Sequence, residues 1–89
     1  MKLKKNYELK NLQGRLEVLY NDQPTGIVID SVAMNDTAEV LWDLLKERDV
    51  TKTEMLETLI TRFDISTVLA LGNIDVFVRT LKENDIIEE

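Results

Sequence analysis

Apolar and polar residues alternate over the first third of the chain. Tyr7, Leu9 and Asn11 stand against Glu8, Lys10 and Leu12. Leu16, Val18 and Tyr20 stand against Glu17, Leu19 and Asn21. A period of two is that of half-buried antiparallel strands. Between the two runs, Gln13-Gly14 can supply the positive φ that a tight hairpin requires. Asn21-Asp22-Gln23-Pro24-Thr25-Gly26 reads as a turn cluster and holds the chain's only proline. Gly26-Ile27-Val28-Ile29-Asp30-Ser31-Val32 is rich in β-branched residues and reads as a third strand. Two short connections in succession favour a three-stranded meander with the third strand at one edge.

After Ala33 the period lengthens. Asn35-Asp36-Thr37 is a group of capping residues, and Asp36 with Glu39 fits a capping box. Ala38, Leu41, Trp42 and Leu45 then share one helical face, widened by Leu44, and the helix should end near Arg48-Asp49. Thr51-Lys52-Thr53-Glu54 is a second capping box, followed at helical spacing by Met55, Leu56, Leu59, Ile60 and Phe63. Asp64-Ile65-Ser66 breaks the pattern. A third helix spans about 67–83, with Ala70, Leu71, Ile74, Phe77, Val78 and Leu81 on its core face. Ile86-Ile87 should pack back on that core. The pattern is α+β, three strands and then three helices, and reads as a single domain over residues 1–89.

Composition narrows the chemistry. Cysteine and histidine are both absent from the 89 residues. This excludes disulfides, zinc-finger sites, iron–sulfur clusters, cysteine nucleophiles and any histidine-based triad. There is no GxGxxG, no P-loop and no metal-ligand spacing. The many carboxylates fall on the polar faces of the helices, and Asp75 and Arg79 are spaced as an i,i+4 pair. A chain this small commits its apolar residues to one core and leaves little room for a catalytic pocket. The reading is therefore a protein that is not an enzyme and needs no cofactor. No run approaches 18 apolar residues, and the basic N-terminus has no apolar stretch behind it, so no membrane span or secretory signal is expected. A cytoplasmic protein is the default.

Charge is unevenly spread. The net charge is −6, yet residues 1–20 carry +3 and residues 21–89 carry −9. An acidic body argues against nucleic acid, whose binding draws on cations that replace counterions. The basic start, Lys2, Lys4, Lys5 and Lys10, can steer an acidic partner or simply keep an edge strand from aggregating.

Two features exceed what a core requires. The third strand combines high β-propensity with an edge position, has no lysine or proline after Pro24 to blunt it, and is interrupted only by Asp30. Such an edge is a template for an added strand. The third helix carries Leu69, Gly72 and Val76 on nearly the opposite side from its core stripe, flanked by Asn73 and Thr80. A glycine in mid-helix costs roughly 0.8–1 kcal/mol relative to alanine, which suggests close approach by another chain.

The order of these segments resembles the PqqD family, the pyrroloquinoline-quinone synthesis protein D family. The resemblance covers nearly the whole chain. It rests on Met34-Asn35-Asp36-Thr37-Ala38, Leu41-Trp42-Asp43-Leu44-Leu45, Thr51-Lys52-Thr53-Glu54-Met55-Leu56, Arg62-Phe63-Asp64-Ile65, Phe77-Val78-Arg79-Thr80-Leu81 and Ile86-Ile87. Four positions depart from the family pattern. Met34 stands for the usual leucine, Asp36 for glutamate, Asn73 for aspartate, and Asp85 where glycine is common.

The resemblance implies a winged-helix-like domain, with a three-stranded antiparallel meander followed by three α-helices. It also implies recognition of the leader segment of a ribosomally made precursor peptide, whose core segment is presented to a modifying enzyme, often a radical-SAM protein. The leader is expected to add to the third strand and lie against the third helix. The residues concerned are Ile27, Val28, Ile29, Asp30 and Ser31 on the strand, and Leu69, Gly72, Asn73, Val76 and Thr80 on the helix. Two other classes fit the same pattern. One is a winged-helix DNA-binding regulator, whose third helix would enter the major groove. Residues 67–84 carry no net charge, which makes a poor reader of DNA. The other is a general protein–protein adaptor, either monomeric or a homodimer through the same edge.

Overall fold

Each alternating run folds as a strand. In the computed structural model, which describes residues 1–29 and 35–88, β2 (Tyr7–Leu12), β3 (Arg15–Tyr20) and β4 (Gln23–Ile29) follow a two-residue strand β1 (Lys2–Leu3). The chain continues through helices α1 (Asn35–Glu47), α2 (Lys52–Arg62) and α3 (Thr67–Glu83) to a short strand β5 (Ile87–Glu88). Strands β2, β3 and β4 form an antiparallel sheet in that order, so the expected meander and its α+β class are present. The arrangement is compatible with a winged-helix-like architecture.

Turn chemistry sets the register. Gln13 and Gly14 adopt φ of 56° and 86°, the double positive dihedral of a two-residue hairpin turn. The Gly14 N–H donates to Asn11 Oδ1 at 2.8 Å and closes it. The second connection is shorter than the six-residue cluster in the sequence suggested. Asn21 and Asp22 alone make the turn, at φ of 51° and 64°, and the strand resumes at Gln23. Both residue types tolerate the left-handed region, so no glycine is required there. Gly26, at φ 80°, instead serves an irregularity within β4. Glu17 pairs with Val28 but Leu19 with Pro24, so three β4 residues oppose Val18 alone. Thr25 closes this bulge, its hydroxyl donating to Val18 O at 2.7 Å and accepting from Ile27 N–H at 3.2 Å. The continuation of the strand to residue 32 lies outside the described residues.

The helices bury the stripes the periodicity marks. Leu16, Val18 and Ile29 from the sheet meet Ala38, Leu41, Trp42 and Leu45 of α1, Met55 and Leu59 of α2, and Ala70, Ile74, Phe77, Val78 and Leu81 of α3 in one apolar cluster. Thr51 and Glu54 complete the second capping box as expected. Ser66 caps α3, accepting from Leu69 N–H at 3.2 Å, a role the sequence pattern did not single out. The first capping box is not seen as expected. Asn35 is already helical, so Asp36 falls inside the first turn, and Glu39 Oε1 accepts from Asn11 Nδ2 at 2.8 Å. Leu71 and Ile60, expected on core faces, are 41% and 42% exposed. Each sits at the margin of a stripe that its neighbours already fill. Asp75 pairs not with Arg79 but with Lys52 of α2, at 3.4 Å.

The two ends of the chain meet. Lys2 and Leu3 pair antiparallel with Glu88 and Ile87, and Lys4 N–H donates to Ile86 O at 2.9 Å. The Met1 ammonium donates to Val50 O at 2.8 Å and to the Asp49 carboxylate. That hydrogen bond holds the Asp49 carboxyl below its ordinary pKa. Ile86 and Ile87 are buried, as the sequence suggested. The end of α3 explains one departure from the family pattern. Ile86 N–H reaches Leu81 O and Asp85 N–H reaches Lys82 O, a Schellman cap that places Asp85 at φ 58°, where glycine is the usual residue. Asp85 accepts that conformation and pairs with Lys4 at 2.7 Å, which raises the lysine's pKa.

Candidate functional site

The hairpin turns determine which backbone groups of β4 are free. A two-residue turn makes its flanking residues a hydrogen-bonded pair, and bonded pairs alternate along an antiparallel ladder. Leu12 and Arg15 flank the first turn, so odd-numbered residues of β3 bond β2. Asn21 N–H donating to Asn6 O at 3.0 Å continues the series. Even-numbered residues of β3 therefore face β4, as the second turn independently requires of Tyr20. Leu16 opposite Ile29 is then a bonded pair and Glu17 opposite Val28 is not. Ile29 turns its N–H and C=O inward, and Val28 turns both away from the sheet. Among the described residues no strand covers that side of β4.

The usable edge has a defined start. Pro24 has no N–H, and at the edge this absence costs no ladder bond. The bulge over Thr25–Ile27 twists the backbone, and the Ile27 N–H is taken by the Thr25 hydroxyl. Regular pairing groups thus begin at Val28. The side chains of Ile27 and Val28 are half-buried and that of Ile29 is fully buried. Asp30 and Ser31, both candidate binding residues, lie outside the described residues.

On α3, the remaining candidates form one strip. At about 100° per residue, Leu69, Val76 and Thr80 lie roughly 120° from the centre of the buried stripe. They flank the core rather than oppose it. Leu69 is 44% exposed, whereas Val76 and Thr80 are half-buried. Asp75, bound to Lys52 of α2, marks the other flank, so the Leu69 side faces away from α2. Asn73 is only 8% exposed and its Nδ2 donates to Leu69 O at 3.1 Å, so its amide serves the helix more than the surface. Thr80 likewise donates to Val76 O at 2.9 Å. Gly72 is exposed, and a Cβ built there meets nothing within 4 Å. No packing inside the chain demands this glycine.

The arrangement offers backbone pairing and apolar contact, and little else. Among the described residues no group of three or more His, Cys, Asp or Glu side chains is placed to hold a metal ion. Neither is any helix long and apolar enough to cross a membrane. The carboxyl with a depressed pKa nearest the helices, Glu54, owes it first to a hydrogen bond from Arg48 and next to the Thr51 backbone, a structural arrangement. Sequence reasoning missed Thr25 and Gly26, whose bulge fixes where the free edge begins. A threonine one residue before an isolated strand glycine was the available signal.

A family model described as Coenzyme PQQ synthesis protein D (PqqD) matches residues 18–87, most of the chain. The chain belongs to the PqqD family. The match runs from β3 through the bulged β4 and all three helices to β5, and leaves β1 and β2 outside it. Comparison with curated proteins and with solved structures gives no match. The family is named for a protein of coenzyme synthesis.

Proposed function

We propose that this PqqD-family protein is a non-catalytic module that binds the leader of a ribosomally made precursor peptide. The leader adds as a strand to β4 from Val28 onward, through Ile29, Asp30 and Ser31. Its apolar side chains lie on the strip of Leu69, Gly72, Val76 and Thr80, with Asn73 bracing the helix beneath. The bound peptide is presented to a modifying enzyme such as a radical-SAM protein. The observation that supports this reading is the outward-facing Val28 backbone, just past the bulge, on an edge that no strand covers among the described residues.

The energies divide the labour. About four to six backbone bonds, at roughly 0.5–1.5 kcal/mol each, barely offset the several kcal/mol lost on association. Apolar contacts on the α3 strip supply the surplus at about 25 cal/mol per Å². Specificity therefore resides in the strip, whereas the strand edge is largely blind to sequence. Nucleic acid is no partner in this reading, because α3 has no cationic excess and the body is acidic.

Amide hydrogen exchange tests the proposal. The probe is the leader of the precursor encoded nearest the gene. The Val28 amide should exchange quickly in the free protein and slow at least roughly tenfold with peptide bound, while the Ile29 amide is slow in both states. Unchanged Val28 exchange at saturating peptide refutes strand addition at this edge.

A further inference from the structure

The fold disperses the basic start of the chain. Lys4 is drawn onto Asp85 at 2.7 Å, and Lys10 points with Glu8 to the outer face of the sheet. The fold also brings Lys46, from the last turn of α1, to the same cleft as Lys5. Both line a cleft of about 300 Å³ with Leu3, Lys4, Asn6, Tyr7 and Glu8. Leu3 and Tyr7 are half-buried against the core and form an apolar floor. The Tyr7 ring packs at 4.8 Å against that of Tyr20, its cross-strand partner. Asn6, at φ 73°, turns the β1–β2 connection around the rim.

Two lysines in one cleft, neither in an ion pair, stand out on a chain with 17 acidic and 11 basic residues. Among the described residues neither Lys5 nor Lys46 enters an ion pair, and Glu8 is the one acidic side chain lining the cleft. The carbonyl end of α1 eases the repulsion at Lys46 but leaves Lys5 unmatched. The cleft also sits beside β2, across the sheet from the β4 edge, so it is a different surface from the proposed leader site.

We infer that this cleft docks an acidic segment of a partner polypeptide. Its carboxylates pair with Lys5 and Lys46, and its aliphatic or aromatic groups rest on Leu3 and Tyr7. The choice of a polypeptide over a simple anion follows from the lining. Flexible lysines over an apolar floor, with no arginine fork and no helix N-terminus, suit a side-chain carboxylate with its stem better than a bare phosphate.

The test is an NMR titration of the full chain with hexaglutamate at low salt. Saturable shifts at residues 3–7 and at Lys46 are expected, weakening roughly threefold or more at physiological ionic strength, where screening shortens the reach of exposed charges. Joint Lys5→Glu and Lys46→Glu substitution, at exposed positions, should abolish them with the rest of the spectrum unchanged. Val28→Pro should leave them intact, which separates this inference from the leader-binding proposal. Three results would overturn it: no saturable shift, equal shifts and affinity with inorganic phosphate, or loss of the response in Val28→Pro.

Discussion

Proline at two adjacent positions of β4 should have opposite consequences. Ile29 is buried, and its N–H bonds β3 opposite Leu16. Ile29→Pro removes that bond, leaves a buried carbonyl without its donor at about 1–3 kcal/mol, and truncates a core side chain. A total loss of about 3 kcal/mol or more is expected. A chain of 89 residues has about 4–13 kcal/mol of stability to lose, at roughly 0.05–0.15 kcal/mol per residue. Each kcal/mol lowers the Tm of a domain this size by about 4–8 °C, so Ile29→Pro should lower it by about 12 °C or more.

Val28 presents its N–H to the open edge, and Val28→Pro breaks no internal bond. Its cost is the fixed φ and some half-buried surface, about 1 kcal/mol, or a Tm loss within about 8 °C. It removes one donor from an added strand and places a ring where that strand must pass. Leader affinity should fall at least roughly tenfold, the equivalent of about 1.4 kcal/mol. Thermal melts by circular dichroism and calorimetric titration with the leader read the two effects separately. If Val28→Pro unfolds as Ile29→Pro does, the assigned parity is wrong. If it stays folded and binds within twofold of the parent, strand addition at β4 is wrong.

Three further outcomes follow from the same geometry. Gly72→Ala meets open space in a helix interior, so the Tm should rise by about 3–8 °C for roughly 0.8–1 kcal/mol while leader affinity falls; unchanged affinity would place the peptide elsewhere. The hydrogen bond from Arg48 holds the Glu54 carboxyl below its ordinary pKa, so it contributes stability above the ordinary carboxylate range and loses it as pH falls through the folded-state value. Glu54→Gln should therefore lower the Tm at neutral pH and converge with the parent in acid, and parallel Tm–pH curves would contradict this. Filter binding at low salt should retain no duplex DNA at micromolar protein, and retention would revive the regulator reading.

The helices were legible because period and caps agree: Thr51 with Glu54 starts α2, and Ala70, Ile74, Phe77 and Leu81 mark the buried face of α3. The β1–β5 pairing was not, since two-residue strands carry no periodicity and their partners lie at opposite ends of the chain. The free parity of β4 was hidden for a different reason. It depends on turn length, and Asn21-Asp22 closes a turn that composition spread over six residues. Asn73 reads from sequence as a binding residue flanking Leu69 and Val76, yet its amide donates to Leu69 O. The basic cleft was beyond sequence reading because Lys5 and Lys46 are joined only by the packing of α1 against the chain's start.

The central claim is that one peptide occupies the β4 edge and the α3 strip together. A titration of the ¹⁵N-labelled protein with the leader peptide measures this most directly, through amide shifts and intermolecular contacts. The account predicts shifts at Ile27, Val28 and Ile29 together with Leu69, Gly72, Val76 and Thr80, saturating with a single dissociation constant. Shifts centred on α1, around Leu41 and Leu45, with β4 unmoved, would contradict it.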